Sequence, residues 1–191
     1  MHFTFIQRWF RPLLLLGIAM SLLISGCSTT RVDAYREFQP KLDLREYFDG
    51  EVIAWGVLQN WRGQMTRHFT VHMVATWNGN VCTLEERFDY NDGETDERTW
   101  TITELEDGRY VGDAGDIVGK ASGQAAGNAL NWHYTLALPV DGKVYHINFD
   151  DWMWQLNDEI LVNRAVMKKF GFKVAELSIF FQKKSSAEVS Q

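Results

Sequence analysis

The chain has 191 residues, 46% hydrophobic and 14% aromatic, with 19 Lys+Arg against 25 Asp+Glu and a formal charge of −6. That is ample material for a packed core, which excludes wholesale disorder and a low-complexity scaffold, and the length admits one ordinary domain or two very small ones. An acidic balance without a basic stripe excludes a nucleic-acid binder that works by neutralising phosphates.

At the N-terminus, Arg8 and Arg11 precede an apolar run from Leu13 to Ile24 that is short for a bilayer-spanning helix. This is a signal-peptide pattern over residues 1–26. Its end, Ile24-Ser25-Gly26-Cys27, resembles the bacterial lipobox. The resemblance implies cleavage before Cys27, a diacylglyceryl thioether and a further acyl chain such as palmitate on that residue, and so a stable membrane anchor with no second signal needed. Ser28 resembles the class sorted to the outer membrane, so the expected location is the outer membrane, facing the periplasm. Loss of residues 1–26 leaves 17 Lys+Arg against 25 Asp+Glu and a formal charge of −8. With Cys27 lipidated, Cys82 has no intramolecular partner, and it reads as a small buried residue.

Residues 27–46 carry mixed charge, Pro40 and no sustained periodicity, which predicts a lipidated N-terminus and tether. A β-barrel domain is expected over 47–184 and a polar tail over 185–191. Turn signals recur through the domain at Asn60–Gly63, Asn78-Gly79, Asn91–Gly93, Asp107-Gly108, Asp141-Gly142, Asn157-Asp158 and Gly171. Between them, strands are predicted at about 50–59, 64–77, 81–90, 95–104, 109–118, 123–138, 143–154, 159–168 and 172–183. The fold class is therefore all-β, an antiparallel up-and-down meander that closes into a lipocalin-like barrel, because closure removes the exposed edges of so long a sheet.

One hairpin fixes its own register. A two-residue turn at Asp141-Gly142 pairs Val140 with Lys143, and every other pair then has numbers summing to 283. Leu130, Trp132, Tyr134 and Leu136 share a face with Ile147, Phe149, Asp151 and Met153, which should point inward with Asp151 as its one acid; Trp152 and Trp154 fall on the other face. The spacing of Gly115, Gly119, Gly123 and Gly127 predicts small residues along one face of a strand.

Few residues carry recognisable chemistry. Gly115, Gly119 and Lys120 depart from a phosphate-loop spacing, and Ala121 replaces the hydroxyl that would hold magnesium. His68 and His72 would lie about 13 Å apart along a strand, too far to share a metal. Glu85-Glu86 and Asp150-Asp151 point to opposite faces as strand neighbours, and no nucleophile elbow is present. No cofactor, metal site or catalytic residue is therefore assigned. The informative set is Arg98, Trp100, Trp132, Tyr134, Phe149 and Asp151, with Asp116 in the glycine-rich segment. Aromatics with a few convergent polar groups suit an apolar ligand bearing a polar head; alternatively they are a filled core in which Arg98 is paired with an acid.

Several ordered motifs spread over about 47–183 carry a resemblance: Tyr47-Phe48-Asp49-Gly50, Glu86-Arg87-Phe88, Arg98-Thr99-Trp100, Asp113-Ala114-Gly115-Asp116, Gly127-Asn128-Ala129-Leu130 and Asp150-Asp151-Trp152-Met153. Together they resemble the uncharacterised bacterial lipoprotein family known as domain of unknown function 3833, which brings no activity with it. A looser, architectural resemblance is to lipocalins, although Trp55 precedes Gly56 where the lipocalin order is Gly-x-Trp.

The expected function is an outer-membrane-anchored periplasmic lipoprotein that holds or shuttles a fatty-acid or other acyl-chain-like ligand in its barrel. The alternative is a structural or protein-interaction module of the envelope, with Trp152 and Trp154 as its contact patch. A third reading, a lipid-modifying enzyme, requires Asp116 and Asp151 to meet.

Overall fold

The computed structural model describes residues 30–184, and Cys27 with the expected signal peptide lies outside them. Ten antiparallel strands run in chain order: β1 (Gly50–Asn60), β2 (Met65–Asn78), β3 (Val81–Tyr90), β4 (Thr95–Glu104), β5 (Arg109–Ala114), β6 (Ala121–Ala126), β7 (Ala129–Val140), β8 (Lys143–Gln155), β9 (Ile160–Lys169) and β10 (Phe172–Lys183). Each pairs with its sequence neighbours and β10 pairs with β1, so the meander closes into a barrel of the expected lipocalin-like kind. Closure satisfies the edge hydrogen bonds that an open sheet of this size would present to other chains.

The β7–β8 hairpin has the predicted register from Val140↔Lys143 to Ala129↔Trp154. The glycine-rich segment differs from expectation. The strand expected at 109–118 stops at Ala114, and the one expected at 123–138 is two strands with a turn at Gly127 and Asn128. Gly115, Gly119, Gly123 and Gly127 therefore do not line one strand face; Gly119 and Gly127 take positive φ in turns. Gly123 has a different role: a Cβ there would collide with the Trp132 ring. A four-residue glycine period was read as strand alternation where the chain used glycine to turn.

The expected tether also differs. A 3-10 turn (Val32–Tyr35) and a short helix, α1 (Leu44–Tyr47), pack onto the barrel, and Leu42, Leu44, Tyr47 and Phe48 join its hydrophobic core. Asp43 caps α1, accepting from the Arg45 and Glu46 amides. The Tyr47 hydroxyl donates to the Glu159 carbonyl at 3.0 Å, and Arg45 donates to the Gly79 carbonyl at 2.8 Å while stacking on Trp77. These contacts fall on the turns after β2 and β8, so α1 closes that end of the barrel. Four residues of weak periodicity could not announce a plug whose stability comes from tertiary burial.

The turns at 60–64, 90–94, 115–120, 141–142 and 170–171 form the opposite end. Inward residues toward the plug are buried, among them Val52, Ala54, Met73, Leu84, Leu130 and Leu161. Toward the other end, inward residues such as Phe88, Tyr134, Leu136 and Leu177 keep partial exposure. In a closed wall, solvent reaches an inward side chain through an end, so this end is the mouth.

Candidate functional site

Strand alternation gathers the predicted set on the inside of the barrel. Arg98 and Trp100 come from β4, Trp132 and Tyr134 from β7, and Phe149 and Asp151 from β8. Trp100 packs edge-on against both Trp132 (5.9 Å between ring centroids) and Tyr134 (5.4 Å), and Tyr134 stacks on Phe149 at 4.5 Å. The Arg98 guanidinium lies 4.4 Å from the centre of the Trp100 ring and 5.5 Å from that of Tyr134. Cation–π contact of this kind suits guanidinium, whose weak hydration makes the loss of water less costly than for ammonium.

Arg98 is paired, as the filled-core alternative expected. Its Nε donates to Asp116 Oδ1 at 3.1 Å. Its Nη2 reaches within 3.0 Å of the same oxygen but off the hydrogen-bonding direction, and this buried donor has no hydrogen-bond partner. The Arg98 side chain as a whole is 18% exposed. Burial works against its charge, but Tyr134, Glu86 and Asp116 outweigh that and hold the guanidinium more firmly protonated. Asp116 sits in the turn after β5 and not in a strand, which puts it at the rim of the mouth.

Asp151 lies deeper, buried, and accepts a hydrogen bond from Asn163 Nδ2. Burial pushes its carboxyl up to about 7 against the pull of Asn163 and Arg98. Asp116 is held by Arg98 and Asp151 by Asn163, and both act on Glu86.

Glu86 is the residue that the sequence reading missed. It is directly opposite Arg98 in the β3–β4 register, yet among the described residues it forms no ion pair with it. Burial pushes the Glu86 carboxyl up to about 7, opposed by Arg98 and reinforced by Asp116 and Asp151. The signal was available: Glu86 alternates with Leu84 and Phe88, and the inward parity of that strand would have found it. What remained invisible was Asn163, whose role depends on the register between β8 and β9.

The outward pair Trp152 and Trp154 is not a free patch. Tyr35 from the N-terminal 3-10 turn packs on both, with ring centroids 5.7 and 6.2 Å away. His133 and Asp150, opposite each other on the outer face, approach to 3.4 Å as a cross-strand pair. Cys82 is buried and free, and burial pushes its thiol up to about 11, away from reactivity. A concavity of about 510 Å³ runs along β1–β4. Outward charged side chains such as Glu51, His72, Glu85 and Arg87 line it together with the inward Val52, Met73, Glu86 and Arg98, and none of the aromatic rings of the predicted set does.

Chemically, the interior offers a fixed cation with a spare donor, two carboxyls poised near neutrality, and aromatic walls. That combination can hold a polar head beside an apolar body.

The family described as "Protein of unknown function (DUF3833)" matches residues 21–183. No curated protein matches the chain. Among solved structures, a protein of unknown function from the DUF3598 family of Nostoc punctiforme superposes with a TM-score of 0.54 at 12% identity, covering 83% of this chain and 53% of that one. The chain thus spans about half the length of that neighbour. The S-type phycobiliprotein lyase of Guillardia theta also gives 0.54, at 8% identity, over 83% of this chain and all of the other. An odorant-binding protein gives 0.36 at 13% identity, over 79% and 82%. At these identities the first two show a shared fold and nothing finer.

Proposed function

The chain belongs to the DUF3833 family, a family of unknown function, and we propose that it is a carrier of a hydrophobic, acyl-chain-like ligand with an acidic head, held inside the barrel. The observation that carries this reading is Arg98, a largely buried guanidinium set among aromatic rings, whose Nη2 lies 3.0 Å from Asp116 but without an aligned hydrogen bond. A ligand oxygen placed on Nη2 would complete its hydrogen bonding. The head would sit between Arg98, Tyr134 and a protonated Glu86, with the chain along Trp100, Phe149 and the partly exposed apolar residues near the mouth. Barrels of this class hold small ligands in the same position. Tyr35 covers Trp152 and Trp154, the patch the envelope-interaction module would use, which supports a carrier over that module.

On the same reading, a lipid on Cys27 anchors the carrier to the outer membrane, facing the periplasm. Metabolic labelling with palmitate, lost in Cys27→Ser, tests that arm separately. For the ligand, the protein is taken from its own host envelope and weighed by native mass spectrometry before and after mild organic extraction. A discrete extractable mass is expected. A bare protein that also takes up no added fatty acid overturns the proposal, and the aromatic interior is then a core.

A further inference from the structure

The rim of the mouth is divided in a way that neither folding nor ligand holding requires. Following the barrel order, the turns after β1, β9 and β7 are neighbours, and the turns after β5 and β3 complete the ring. The first three turns carry the protruding apolar side chains: Trp61 is 63% exposed, Phe170 87% and Phe172 77%, with Val144 beside them at 62%. These turns also carry the bases Arg62, Lys143 and Lys169 with Asp141 as their one acid, flanked by Lys168 and Lys173, which pair with Asp150 and Glu176. The remaining two turns are acidic, with Asp89, Asp92, Glu94 and Asp96 in one and Asp113 and Asp116 in the other; Arg67 pairs with Asp92 and Glu94, Arg87 with Asp89, Arg98 with Asp116 and Lys120 with Asp113.

Phe170 is the second observation. It takes φ of 52° in the two-residue turn with Gly171. That backbone region suits glycine, asparagine or aspartate, and a bulky side chain there is an outlier. No burial compensates, since the ring is almost wholly exposed, with the Lys169 ammonium 5.3 Å from its centre. A strained, exposed aromatic that contributes nothing to packing points to a use outside the folded chain.

We propose that this half of the rim docks on an anionic lipid surface, with Phe170, Phe172 and Trp61 entering the interface and the neighbouring bases facing the headgroups. The choice of partner rests on charge: in a chain of net charge −6, Arg62, Lys143 and Lys169 stand beside the exposed aromatics with Asp141 as the one acid in those turns, and the acidic turns lie on the far side. Aromatic rings flanked by Lys and Arg are the combination that partitions into the headgroup region of acidic membranes. The barrel would meet the surface tilted, with the acidic turns held away.

Amide exchange of the full chain, followed by mass spectrometry, reads the rim itself and so does not depend on whether the N-terminus is anchored. Phosphatidylglycerol-containing vesicles should slow exchange in peptides covering 60–65 and 168–174 and leave 89–96 unchanged. Phosphatidylcholine vesicles should have no such effect. Phe170→Asn with Phe172→Ser should abolish the protection, and Lys169→Glu with Lys173→Glu should weaken it at least tenfold at low salt; thermal unfolding verifies that each variant folds. Three results overturn the proposal: an unchanged rim on anionic vesicles, equal protection on neutral ones, or protection that appears without vesicles and grows with protein concentration, which would identify a second copy as the occupant.

Discussion

The two ends of the barrel are built from the same alternating strands and do opposite things with them. At the plugged end, α1 drives Leu44 and Tyr47 into the core, and backbone carbonyls of the β2–β3 and β8–β9 turns accept from Arg45 and Tyr47. At the mouth, Phe170, Phe172 and Trp61 stand in solvent, and the Arg98 guanidinium is set among aromatic rings inside the wall. Stability is concentrated at one end, and the chemistry at the other is relieved of the need to supply it.

That contrast can be broken most severely at the plug. Tyr47 is 1% exposed, and Tyr47→Ala removes an aromatic ring and a hydrogen bond; a loss of about 3–5 kcal/mol is expected, measured by urea unfolding. Gly127→Ala should cost less, roughly 2 kcal/mol. Gly127 takes φ of 56°, and a Cβ would run into the Tyr35 carbonyl. Because Tyr35 covers Trp152 and Trp154, the variant should also expose those rings to a fluorescence quencher. Equal stability losses from rim substitutions would mean that the division of labour is not real.

At the mouth, Arg98→Glu should abolish uptake of a fatty acid, a loss of at least a hundredfold, since it removes the cation among the aromatic rings and adds a third interior acid. Titration with a fluorescent fatty acid measures this, and unchanged affinity removes Arg98 from the site.

The sequence made much of this legible. The alternation of Leu130, Trp132 and Tyr134 against Phe149 and Asp151 fixed the inward face of a hairpin, and the observed register agrees pair by pair. Arg98, Trp100 and the aromatic set converge because parity alone decides which face a strand residue takes. The plug was not legible, because a four-residue helix has no period to read, and neither was the split between β6 and β7, because glycine serves turns and strands alike. Asn163 became a partner of Asp151 only through the β8–β9 register.

Glu86 gives the next largest effect. Burial raises its folded pKa to about 7 from the ordinary 4.5, so between those values the folded state holds a proton that the unfolded chain has lost. Stability is therefore full below about pH 4.5 and declines as pH rises through 7, with the cost retained above. Glu86→Gln should raise stability by about 2 kcal/mol at pH 8 and leave it nearly unchanged at pH 4.5. In the ligand assay, wild-type affinity for a fatty carboxylate should rise as pH falls from 8 to 6, and the Gln variant should show a shallower rise, the part that Asp151 contributes. A pH-independent wild type would mean that Glu86 does not face the head.

The smallest effect on stability comes from the tip of the mouth. Phe170 occupies a left-handed position that asparagine adopts readily. Phe170→Asn should leave stability unchanged or raise it by about 0.5–1 kcal/mol, since strain is relieved and no buried surface is lost. A substitution that improves the fold at a site where the natural chain keeps a strained aromatic is the pattern expected where function opposes stability. Thermal unfolding of the variant decides the point. A loss above 1 kcal/mol would show that Phe170 packs in solution, and the comparison between a structural end and a working end would then have to be redrawn at the rim.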